Sequence, residues 1–311
     1  MQKKSDFFEF VPCYSCGSNN HKEIRKSLYP NDLKIGDILK IYSSSSDSTL
    51  LDRLVLCNKC GLIFISPRIK SSIIINSYTE NHDAKFITQN KFRIITFESQ
   101  LKKIITKFKL SNNISVLDIG CAGGAFLKAC KNLQIRAVGI EPNRWLVDFA
   151  KKEYDVDARK GILSDHNFNK EFFDVISLWD VIEHLTNPKK VISESLFLLK
   201  PGGLLILNFP DISSFAAKIL KKKWPFYLGV HLIYFTPKTL EKFLEPMGFT
   251  KVLKKPHWQS LSLSYILERA EAYFIFFKYL KKLFNFVGLK NISVKYNVGQ
   301  TLMVFQKKEI K

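Results

Sequence analysis

Four of the six cysteines form two matching knuckles, Cys13-x-x-Cys16 and Cys57-x-x-Cys60, and a glycine follows each knuckle. Four thiolates in this pattern are the ligand set of a closed, tetrahedral, structural Zn²⁺ site. The spacer between the knuckles is longer than the ~15–20 residues usual for such a site, which indicates an inserted loop. The alternative is four buried thiols without a metal. Disulfides are disfavoured because we expect a reducing cytoplasmic location.

A second chemically informative run is VLDIGCAGGAFL, in which an apolar segment leads into a glycine-rich turn. Gly120, Gly123 and Gly124 carry no Cβ, so the backbone there can approach a ligand closely. The spacing fits neither a P-loop, since no Gly-Lys-Ser/Thr follows, nor the dinucleotide pattern GxGxxG. Glu141 ends the next apolar segment, where a carboxylate can accept both hydroxyls of a ribose. An ordinary strand-to-helix turn and a solvated carboxylate are the alternatives.

The glycine-rich run resembles the first motif of the class I S-adenosylmethionine-dependent methyltransferases, DxGxGxG. The matching residues are Asp118, Gly120, Ala122 and Gly124, with Ala122 replacing the middle glycine. The resemblance covers roughly residues 85–255 and continues through the sequences FDV (173–175), DVIEHL (180–185) and KPGG (200–203).

This resemblance implies S-adenosylmethionine as the cofactor. In such enzymes the glycine-rich loop holds the methionine end, and the acid after the second strand, here Glu141, holds the ribose. The adenine is flanked by residues after the third and fourth strands, which correspond here to Gly161, Ile162, Trp179 and Asp180. The acid usual near the adenine amine is not evident beside Gly161. Backbone groups or Asp165 would take its place.

Asp180, Glu183 and His184 resemble the D/E-x-x-E-H segment of ubiquinone-type O-methyltransferases, some of which use these residues with a divalent metal. We favour the alternative, in which Asp180 lines the cofactor cleft while Glu183 and His184 order the start of a helix. A further segment, WPFYLGVHLIYFTP (224–237), resembles one that follows the fifth strand on the acceptor side of similar enzymes. It offers His231 and Tyr234 as acceptor contacts and His231 as a general base, unless both simply pack in the core.

The elements that must position these residues alternate between strand and helix from residue 114 onwards. Alternation of this kind predicts an α/β fold, a Rossmann-like methyltransferase sheet with helices on both faces. Before it we expect a zinc-ribbon unit over residues 1–70 and a helical linker or cofactor lid over 71–110. The predicted methyltransferase domain covers 111–311 and includes a helical insertion at about 256–296. Seven strands are predicted near residues 114–120, 136–142, 156–160, 172–179, 202–210, 249–254 and 298–306.

The insertion presents one apolar stripe at helical spacing, formed by Ile266, Ala270, Phe274, Phe277, Leu280 and Phe284. Glu271, Lys278 and Lys282 fall on another face. Three roles are compatible with this pattern: a cover for the sheet, a lid over the acceptor cleft, or a contact with a membrane surface that Lys221–Lys223 and Trp224 would assist.

The composition of the chain limits which binding partners and locations are expected. The 311 residues carry 48 Lys+Arg and 28 Asp+Glu, a net charge of +20, which suits nucleic acid, anionic lipid or phosphorylated substrates but also fits a lysine-rich bias. No uncharged apolar run reaches the ~18 residues that span a bilayer, and no signal peptide is evident at the start. We expect a cytoplasmic enzyme that methylates a small-molecule or glycan acceptor. An RNA methyltransferase and a non-catalytic cofactor-binding protein are the alternatives, with nucleic acid less favoured.

The layout supports the glycan acceptor. The sequences CGLIF (60–64) and SPR (66–68) after the second knuckle resemble zinc-ribbon methyltransferases of glycan and secondary-metabolite clusters. The Asn/Asp-Pro-Pro-Tyr signature of amino-nitrogen methylation does not follow the fourth strand. No catalytic cysteine in a Pro-Cys pair indicates cytosine methylation, since Cys13 of Pro12-Cys13 belongs to the first knuckle. A lipid-linked sugar would unite a glycan acceptor with a peripheral membrane contact.

Overall fold

The N-terminal part of the chain consists of short strands and helices around the cysteine knuckles. The computed structural model describes residues 4–42, 48–79, 87–111, 113–271, 276–287, 289 and 292–309. The first elements are β1 (Phe8–Glu9), β2 (His21–Arg25), α1 (Ile35–Ile41), β3 (Leu54–Cys57), β4 (Ile63–Ile65), β5 (Arg68–Ile69), α2 (Ser71–Thr79) and α3 (Asn90–Phe108). The helical region predicted at 71–110 is therefore seen as two helices. The polar loop expected around Ser43–Ser46 lies outside the described residues.

The rest of the chain alternates strands and helices, as predicted. Its elements are β6 (Ser115–Ile119), α4 (Ala125–Asn132), β7 (Arg136–Glu141), α5 (Arg144–Tyr154), β8 (Asp157–Lys160), β9 (Phe173–Trp179), α6 (Pro188–Leu198), β10 (Leu199–Pro210), α7 (Phe215–Leu220), β11 (Ile233–Tyr234), α8 (Pro237–Leu244), β12 (Phe249–Pro256), β13 (Gln259–Ser262), α9 (Leu263–Glu271), α10 (Phe276–Phe286), β14 (Ser293–Tyr296) and β15 (Gln300–Lys307).

Seven of these strands form one twisted sheet in the order β12-β15-β10-β9-β6-β7-β8. Strands β8, β7, β6, β9 and β10 are parallel, and β15 runs antiparallel to both β10 and β12. The predicted α/β fold class is confirmed. The order reverses at β6, so the carboxyl ends of β6 and β9 open a crevice, which is where open α/β sheets bind ligands.

Side-chain caps fix the starts of three of the helices that lie between strands of the large sheet in the sequence. The Asn143 side chain accepts the Leu146 N–H at the start of α5, and the Asn187 side chain accepts the Lys190 N–H at the start of α6. Thr236 caps α8, and Pro237 lies in its first turn. Each cap satisfies a backbone N–H group that a helix start leaves unpaired.

The N-terminal part and the large sheet share one hydrophobic core. β11 pairs antiparallel with β4, with Ile233 opposite Phe64, so a four-stranded sheet of order β11-β4-β3-β2 contains a strand from the far end of the chain. Phe64, Ile233 and Phe209 of β10 are all fully buried members of the same cluster. The cysteine knuckles are therefore packed onto the segment that carries His231.

The insertion after β12 is part sheet and part helix. β13 pairs antiparallel with β14, and the helices α9 and α10 lie between these two strands. Backbone N–H groups of β13 donate to α3: Ser260 N to Thr96 Oγ1 (2.9 Å) and Ser262 N to Gln89 Oε1 (3.1 Å). The insertion is thus fixed to α3 beside the crevice. Within the described ranges no helix is both long and apolar enough to cross a membrane.

Candidate active site

A cavity of about 440 Å³ lies at the carboxyl ends of β6 and β9. One wall is the glycine-rich turn, and another is the segment from Asp180 to His184. The remaining walls come from α3, from the insertion helices and from the segment around His231. The same cavity therefore joins the predicted cofactor turn to the predicted acceptor residues.

The glycine-rich turn presents its backbone to this cavity. Gly120 has φ +74°, and a Cβ built there would lie 2.6 Å from Val181 Cγ2, so a side chain would strain the turn. Ala122, which replaces the family's middle glycine, also lies in the left-handed region with φ 44°. Asn90 of α3 fixes the turn from outside, since its Nδ2 donates to the Gly123 carbonyl (3.0 Å). Asp118, just before the turn, lines the cavity and accepts the Ser177 hydroxyl (2.6 Å).

Glu141 supports the turn from behind. Its Oε2 accepts the Ala122 N–H (3.0 Å), and its Oε1 accepts the Asn143 N–H (2.9 Å). The side chain is fully buried and is not among the residues that line the cavity. Burial raises the pKa of Glu141 to about 7, against the lowering effect of the two backbone donors.

The end of β9 forms a second polar wall. Asp180 has φ 54°, an uncommon value for a residue with a side chain, and its Oδ1 accepts N–H groups from Asn208 and Gln300, each at 2.6 Å. Burial raises the pKa of Asp180 to about 6. The neighbouring Trp179 packs against Phe97 and Phe126, with ring centroids 4.9 and 5.3 Å away. Its buried Nε1 has no hydrogen-bond partner in the described part of the chain and lies in the cavity lining.

The two residues expected at the third strand end lie outside the cavity lining. The Gly161 N–H donates to the Glu141 carbonyl (3.1 Å), so this turn is tied to the end of β7. The Ile162 N–H donates to Asp165 Oδ2 (2.9 Å), and the Ile162 side chain is about half exposed. Asp165 thus occupies the backbone donor of Ile162.

His184 and His231 lie next to each other in the cavity wall. Their ring centroids are 4.7 Å apart in an edge-to-face arrangement. Nδ1 of His184 is bonded to the Val230 carbonyl (2.9 Å), and Nδ1 of His231 to the Phe226 carbonyl (2.8 Å). A carbonyl can only accept, so each Nδ1 carries the proton and each Nε2 is left as the basic nitrogen. Burial lowers the pKa of both imidazoles, that of His184 to about 4.

Glu183 completes this group. It is almost fully buried, and within the described residues neither carboxylate oxygen has a hydrogen-bond partner. Burial and the nearby Asp180 raise its pKa well above the ordinary value. One ligand atom each from Glu183, His184 and His231 lie within 4.8 Å of one another, so the three could hold a divalent cation. The set suggested by the sequence contained Asp180 in place of His231, and Asp180 is outside this group.

Tyr234 lies away from the cavity. It is 1 % exposed, its hydroxyl donates to the Leu228 carbonyl (3.1 Å), and it is absent from the cavity lining. In this structure it stabilises the loop that carries His231. Direct contact with an acceptor would need a rearrangement of that loop.

Sequence reasoning missed several cavity residues. Arg93 and Phe97 come from α3, Tyr265 and Arg269 from α9, and Gln259 and Gln300 from the ends of strands. The helical pattern of residues 71–110 was recognisable, but a helical pattern does not identify which face lies over a ligand. The two glutamines had no sequence signal, because their role depends on the non-local approach of β13 and β15 to Asp180.

The four knuckle cysteines converge at the other end of the N-terminal sheet. Cys13 Sγ lies 3.4 Å from Cys60 Sγ, Cys16 Sγ lies 3.5 Å from Cys57 Sγ, and all four sulfurs lie within 4.8 Å of one another. The glycine after each knuckle has a left-handed φ, +70° at Gly17 and +81° at Gly61. The four sulfurs are close enough to surround one tetrahedral ion.

Comparison with known proteins agrees with this geometry. A family model described as a methyltransferase domain matches residues 92–254. The chain is 26 % identical over 153 residues to the mitochondrial ubiquinone biosynthesis O-methyltransferase of Schizosaccharomyces pombe, covering 46 % of this chain and 54 % of that protein. It is 29 % identical over 155 residues to the ubiquinone biosynthesis O-methyltransferase of Maricaulis maris, covering 46 % and 61 %. The chain thus spans little more than half the length of these relatives.

Among solved structures, an S-adenosylmethionine-dependent methyltransferase from Archaeoglobus fulgidus aligns with a TM-score of 0.49 at 20 % identity, over 72 % of this chain and 100 % of that one. The family match covers more than half of the 311 residues and includes the glycine-rich turn, the end of β9 and both histidines, His184 and His231. The chain belongs to the methyltransferase domain family.

Proposed function

We propose that this chain transfers the methyl group of S-adenosylmethionine to a hydroxyl group of a small-molecule or glycan acceptor. The observation that carries the proposal is the single cavity lined by both the glycine-rich turn and the histidine pair. Family membership supports the cofactor, and the ubiquinone relatives, named as O-methyltransferases, support an oxygen acceptor. The paired free-thiol knuckles favour a reducing, cytoplasmic location.

The residues present fit the proposed cofactor. The backbone of Gly120–Gly124 would receive the methionine end, and Asp118 stands beside it. The unpartnered Trp179 Nε1 and the Asp180 carboxylate are polar groups at the β9 end that a nucleoside could meet. Glu141, Gly161 and Ile162 stay predicted contacts for ribose and adenine. For Glu141 this requires that the ribose reach the carboxylate that already holds the turn.

In the proposed reaction the protein has two tasks: to position the acceptor hydroxyl and to remove its proton. When bound, the cofactor supplies a methyl group already activated by its sulfonium. The acceptor hydroxyl must lie in line with that methyl and lose its proton. His231 is suited to take this proton, because its Nδ1–H is held by the Phe226 carbonyl and its neutral Nε2 is free to accept. An ionised Glu183 beside it would stabilise the imidazolium that results, whereas burial and the neighbouring His184 oppose that charge and lower the pKa of His231.

A divalent cation held by Glu183, His184 and His231 is the second candidate for activating the hydroxyl, and their mutual approach within 4.8 Å favours it. A cation would lower the pKa of a bound hydroxyl directly. The two versions differ in their response to a chelator, since only the cation version predicts loss of turnover that Mg²⁺ or Mn²⁺ restores.

We also propose that the four knuckle cysteines hold a structural Zn²⁺. The geometry of the four sulfurs supports this assignment, since a tetrahedral thiolate site needs four sulfurs around one point. The site lies on the N-terminal sheet rather than in the cavity, which supports a structural role.

The function is tested by measuring S-adenosylhomocysteine formation with a panel of nucleotide sugars, lipid-linked sugars, free glycans and phenols. His231→Ala should lower kcat by roughly 10²–10⁴-fold with the accepted compound. Its affinity for S-adenosylmethionine should change little. Lys238→Ala is the control, since it changes an exposed residue at the start of α8 outside the cavity lining. Undiminished turnover in His231→Ala would exclude this base, and no product with any acceptor would favour the non-catalytic alternative.

A further inference from the structure

Helix α10 carries an apolar stripe that faces solvent. Phe276, Tyr279, Leu283 and Phe286 recur at intervals of three and four residues and are 64 %, 64 %, 56 % and 89 % exposed. That spacing places all four on one face of a helix. Large apolar side chains grouped in this way mark an interaction surface, whereas single exposed apolar residues do not.

Another face of the insertion helices packs against the cavity, which leaves the stripe on α10 exposed to solvent. Ile266 and Ala270 of α9 and Phe277 of α10 line the cavity. These three belong to the apolar stripe that the sequence offered as a cover, a lid or a membrane contact, so this part of the stripe forms a cavity wall. Leu280 and Phe284 are not in the cavity lining, and Phe274 lies outside the described residues. Lys281 bonds across the hairpin to Glu268 and Glu271 (4.0 and 3.4 Å), which holds α10 with its outer face turned away from the cavity.

Helix α7 also exposes large apolar side chains, and it leads into residues that line the same cavity. In α7, Phe215 and Ile219 are one helical turn apart and are 79 % and 59 % exposed. Leu220 and Lys223, which follow directly, line the cavity. Trp224 is not part of this surface, because it is buried and its Nε1 donates to the Val298 carbonyl (2.7 Å). Two amphipathic segments from distant parts of the sequence therefore flank one cavity.

The charges beside both apolar groups have one sign. Lys278 and Lys282 of α10 are exposed, and so are Lys218, Lys221, Lys222 and Lys223 around α7. Aromatic and aliphatic side chains edged by lysines suit the headgroup layer of an anionic bilayer, where the apolar groups insert and the ammonium groups remain at the phosphates. A second copy of this chain is a poorer occupant, because a two-fold contact would bring identical lysine-edged faces together.

We propose that the outer faces of α10 and α7 form one docking surface for an anionic phospholipid membrane, with the cavity mouth at the headgroup layer. This surface is defined by Phe215, Ile219, Phe276, Tyr279, Leu283 and Phe286 with the lysines beside them. Docking itself does not depend on methyl transfer. Its consequence, an acceptor carried on or dissolved in the membrane, rests on the proposed function.

Vesicle flotation of the full chain tests the docking surface. The protein should float with vesicles containing about 30 % phosphatidylserine and only weakly with pure phosphatidylcholine. Binding should fall between ~50 and ~300 mM salt through screening of the lysines. Combining Phe276→Ser, Leu283→Ser and Phe286→Ser should reduce the bound fraction roughly tenfold or more, since three apolar side chains lose their burial in the bilayer.

Two controls make the result specific. Phe197→Ser removes a phenylalanine of similar exposure (53 %) from α6, away from the proposed surface, and should leave flotation unchanged. For the charges, Lys278→Glu with Lys282→Glu should weaken flotation, whereas Lys102→Glu with Lys103→Glu on α3 should affect it much less. Circular dichroism and urea unfolding verify that each variant is folded.

The proposal is overturned if the wild-type protein stays unbound at low salt, or if the triple serine variant floats as well as the wild type. A dimer that the triple variant converts to monomers, without vesicle binding, would assign the surface to a second copy. Because flotation needs neither cofactor nor acceptor, its failure and a failure of the proposed methyl transfer are separate results.

Discussion

At the residue scale, the cavity is surrounded by carboxylates that the fold keeps out of water. Asp118 and Glu141 are buried and Asp180 is half-buried, each at the end of a parallel strand, and burial raises the pKa of all three. Each is compensated by local donors: a hydroxyl for Asp118, two backbone N–H groups for Glu141, and two side-chain amides for Asp180. A bound sulfonium would add a positive charge to this environment and favour the ionised forms.

Replacing Glu141 tests the predicted contact between its carboxylate and the ribose. Glu141→Ala should weaken S-adenosylmethionine binding by losing charge-assisted hydrogen bonds worth roughly 1.5–3 kcal/mol each, or about one to two powers of ten in Kd per bond. Calorimetry measures the change, with the exposed Asp148→Ala on α5 as the control.

Glu141 also accepts the Ala122 N–H, so its replacement could weaken cofactor binding by disturbing the turn. The affinity of the variant alone therefore does not measure the ribose contact. The 2′-deoxyribose analogue of the cofactor separates the two effects. The wild type should bind this analogue more weakly than the cofactor, and Glu141→Ala should bind both alike. A variant that still discriminates between them would show that another residue holds the ribose.

Asp52 provides a pH-dependent prediction in the N-terminal part. It is 1 % exposed, accepts the Tyr29 hydroxyl (2.9 Å), and burial raises its pKa from 3.8 to about 7. The folded state therefore keeps a proton that the unfolded state releases. This group contributes stability at low pH that is lost as the pH rises from about 4 to about 7, at up to ~1.4 kcal/mol per pH unit.

Asp52→Asn should remove this dependence, because an amide keeps an acceptor for Tyr29 without becoming charged. Urea unfolding of wild type and variant at pH 5 and pH 8 measures it. The variant should gain stability over the wild type on going from pH 5 to pH 8. An unchanged difference between the two proteins at both pH values would show that Asp52 has an ordinary pKa.

At the element scale, the pairing of β4 with β11 connects the two ends of the molecule. Ile233 lies opposite Phe64, and the neighbouring Leu232 N–H donates to the Glu183 carbonyl (2.8 Å). His231 is one residue further back. Backbone hydrogen bonds therefore connect three parts of the molecule. These are the four-stranded sheet β11-β4-β3-β2, the loop at residues 224–232 that carries His231 (the proposed acceptor loop), and the segment that follows β9.

Because of this connection, we expect loss of zinc to affect the loop that carries His231. Cys57→Ser should abolish binding of Zn²⁺, measured as metal content of freshly purified protein. It should also loosen residues 224–234, seen as faster amide exchange, because β11 loses a stable partner in β4. Acceptor turnover should then fall much more than S-adenosylmethionine affinity.

Ser15→Ala in the first knuckle is the matched control and should retain the metal. Wild-type protein without zinc would refute the metal assignment. Zinc loss with unchanged exchange in residues 224–234 would show instead that the knuckles and the acceptor loop are independent.

The same pairing shows where sequence reasoning stops. The strands of the large sheet were predictable because β6, β7 and β9 are buried apolar runs that end in glycine, acid or turn residues. The pairing of Phe64 with Ile233 was not, because a two-residue strand has no periodicity and its partner lies far away in the sequence. Likewise, the cavity wall at Gln259 and Gln300 forms only once β13 and β15 have folded. The glycine turn and the histidine His231 were found because local motifs carry them.

At the scale of the whole molecule, the net charge of +20 must be reconciled with a cavity of mixed polarity. Arg93, Lys223 and Arg269 line that cavity, but so do Asp118, Asp180 and Glu183. The lysines of the proposed docking surface lie among large apolar side chains. A pattern of this kind suits a bilayer surface better than a polyphosphate strand, which needs a continuous basic path with aromatic stacking positions.

RNA binding is therefore expected to be weak and non-specific. On filters, total RNA should bind the wild type at ~50 mM salt and lose at least two powers of ten in affinity by ~200 mM, because phosphate contacts release counterions. Anionic vesicles should compete with the RNA, since both would use Lys278, Lys282 and the lysines beside α7. Lys278→Glu with Lys282→Glu should weaken both interactions together, whereas Lys102→Glu with Lys103→Glu should leave vesicle binding intact. An RNA that stays bound at ~200 mM salt and accepts a methyl group would instead establish the RNA methyltransferase alternative, and the docking surface would then have to be tested without competing RNA.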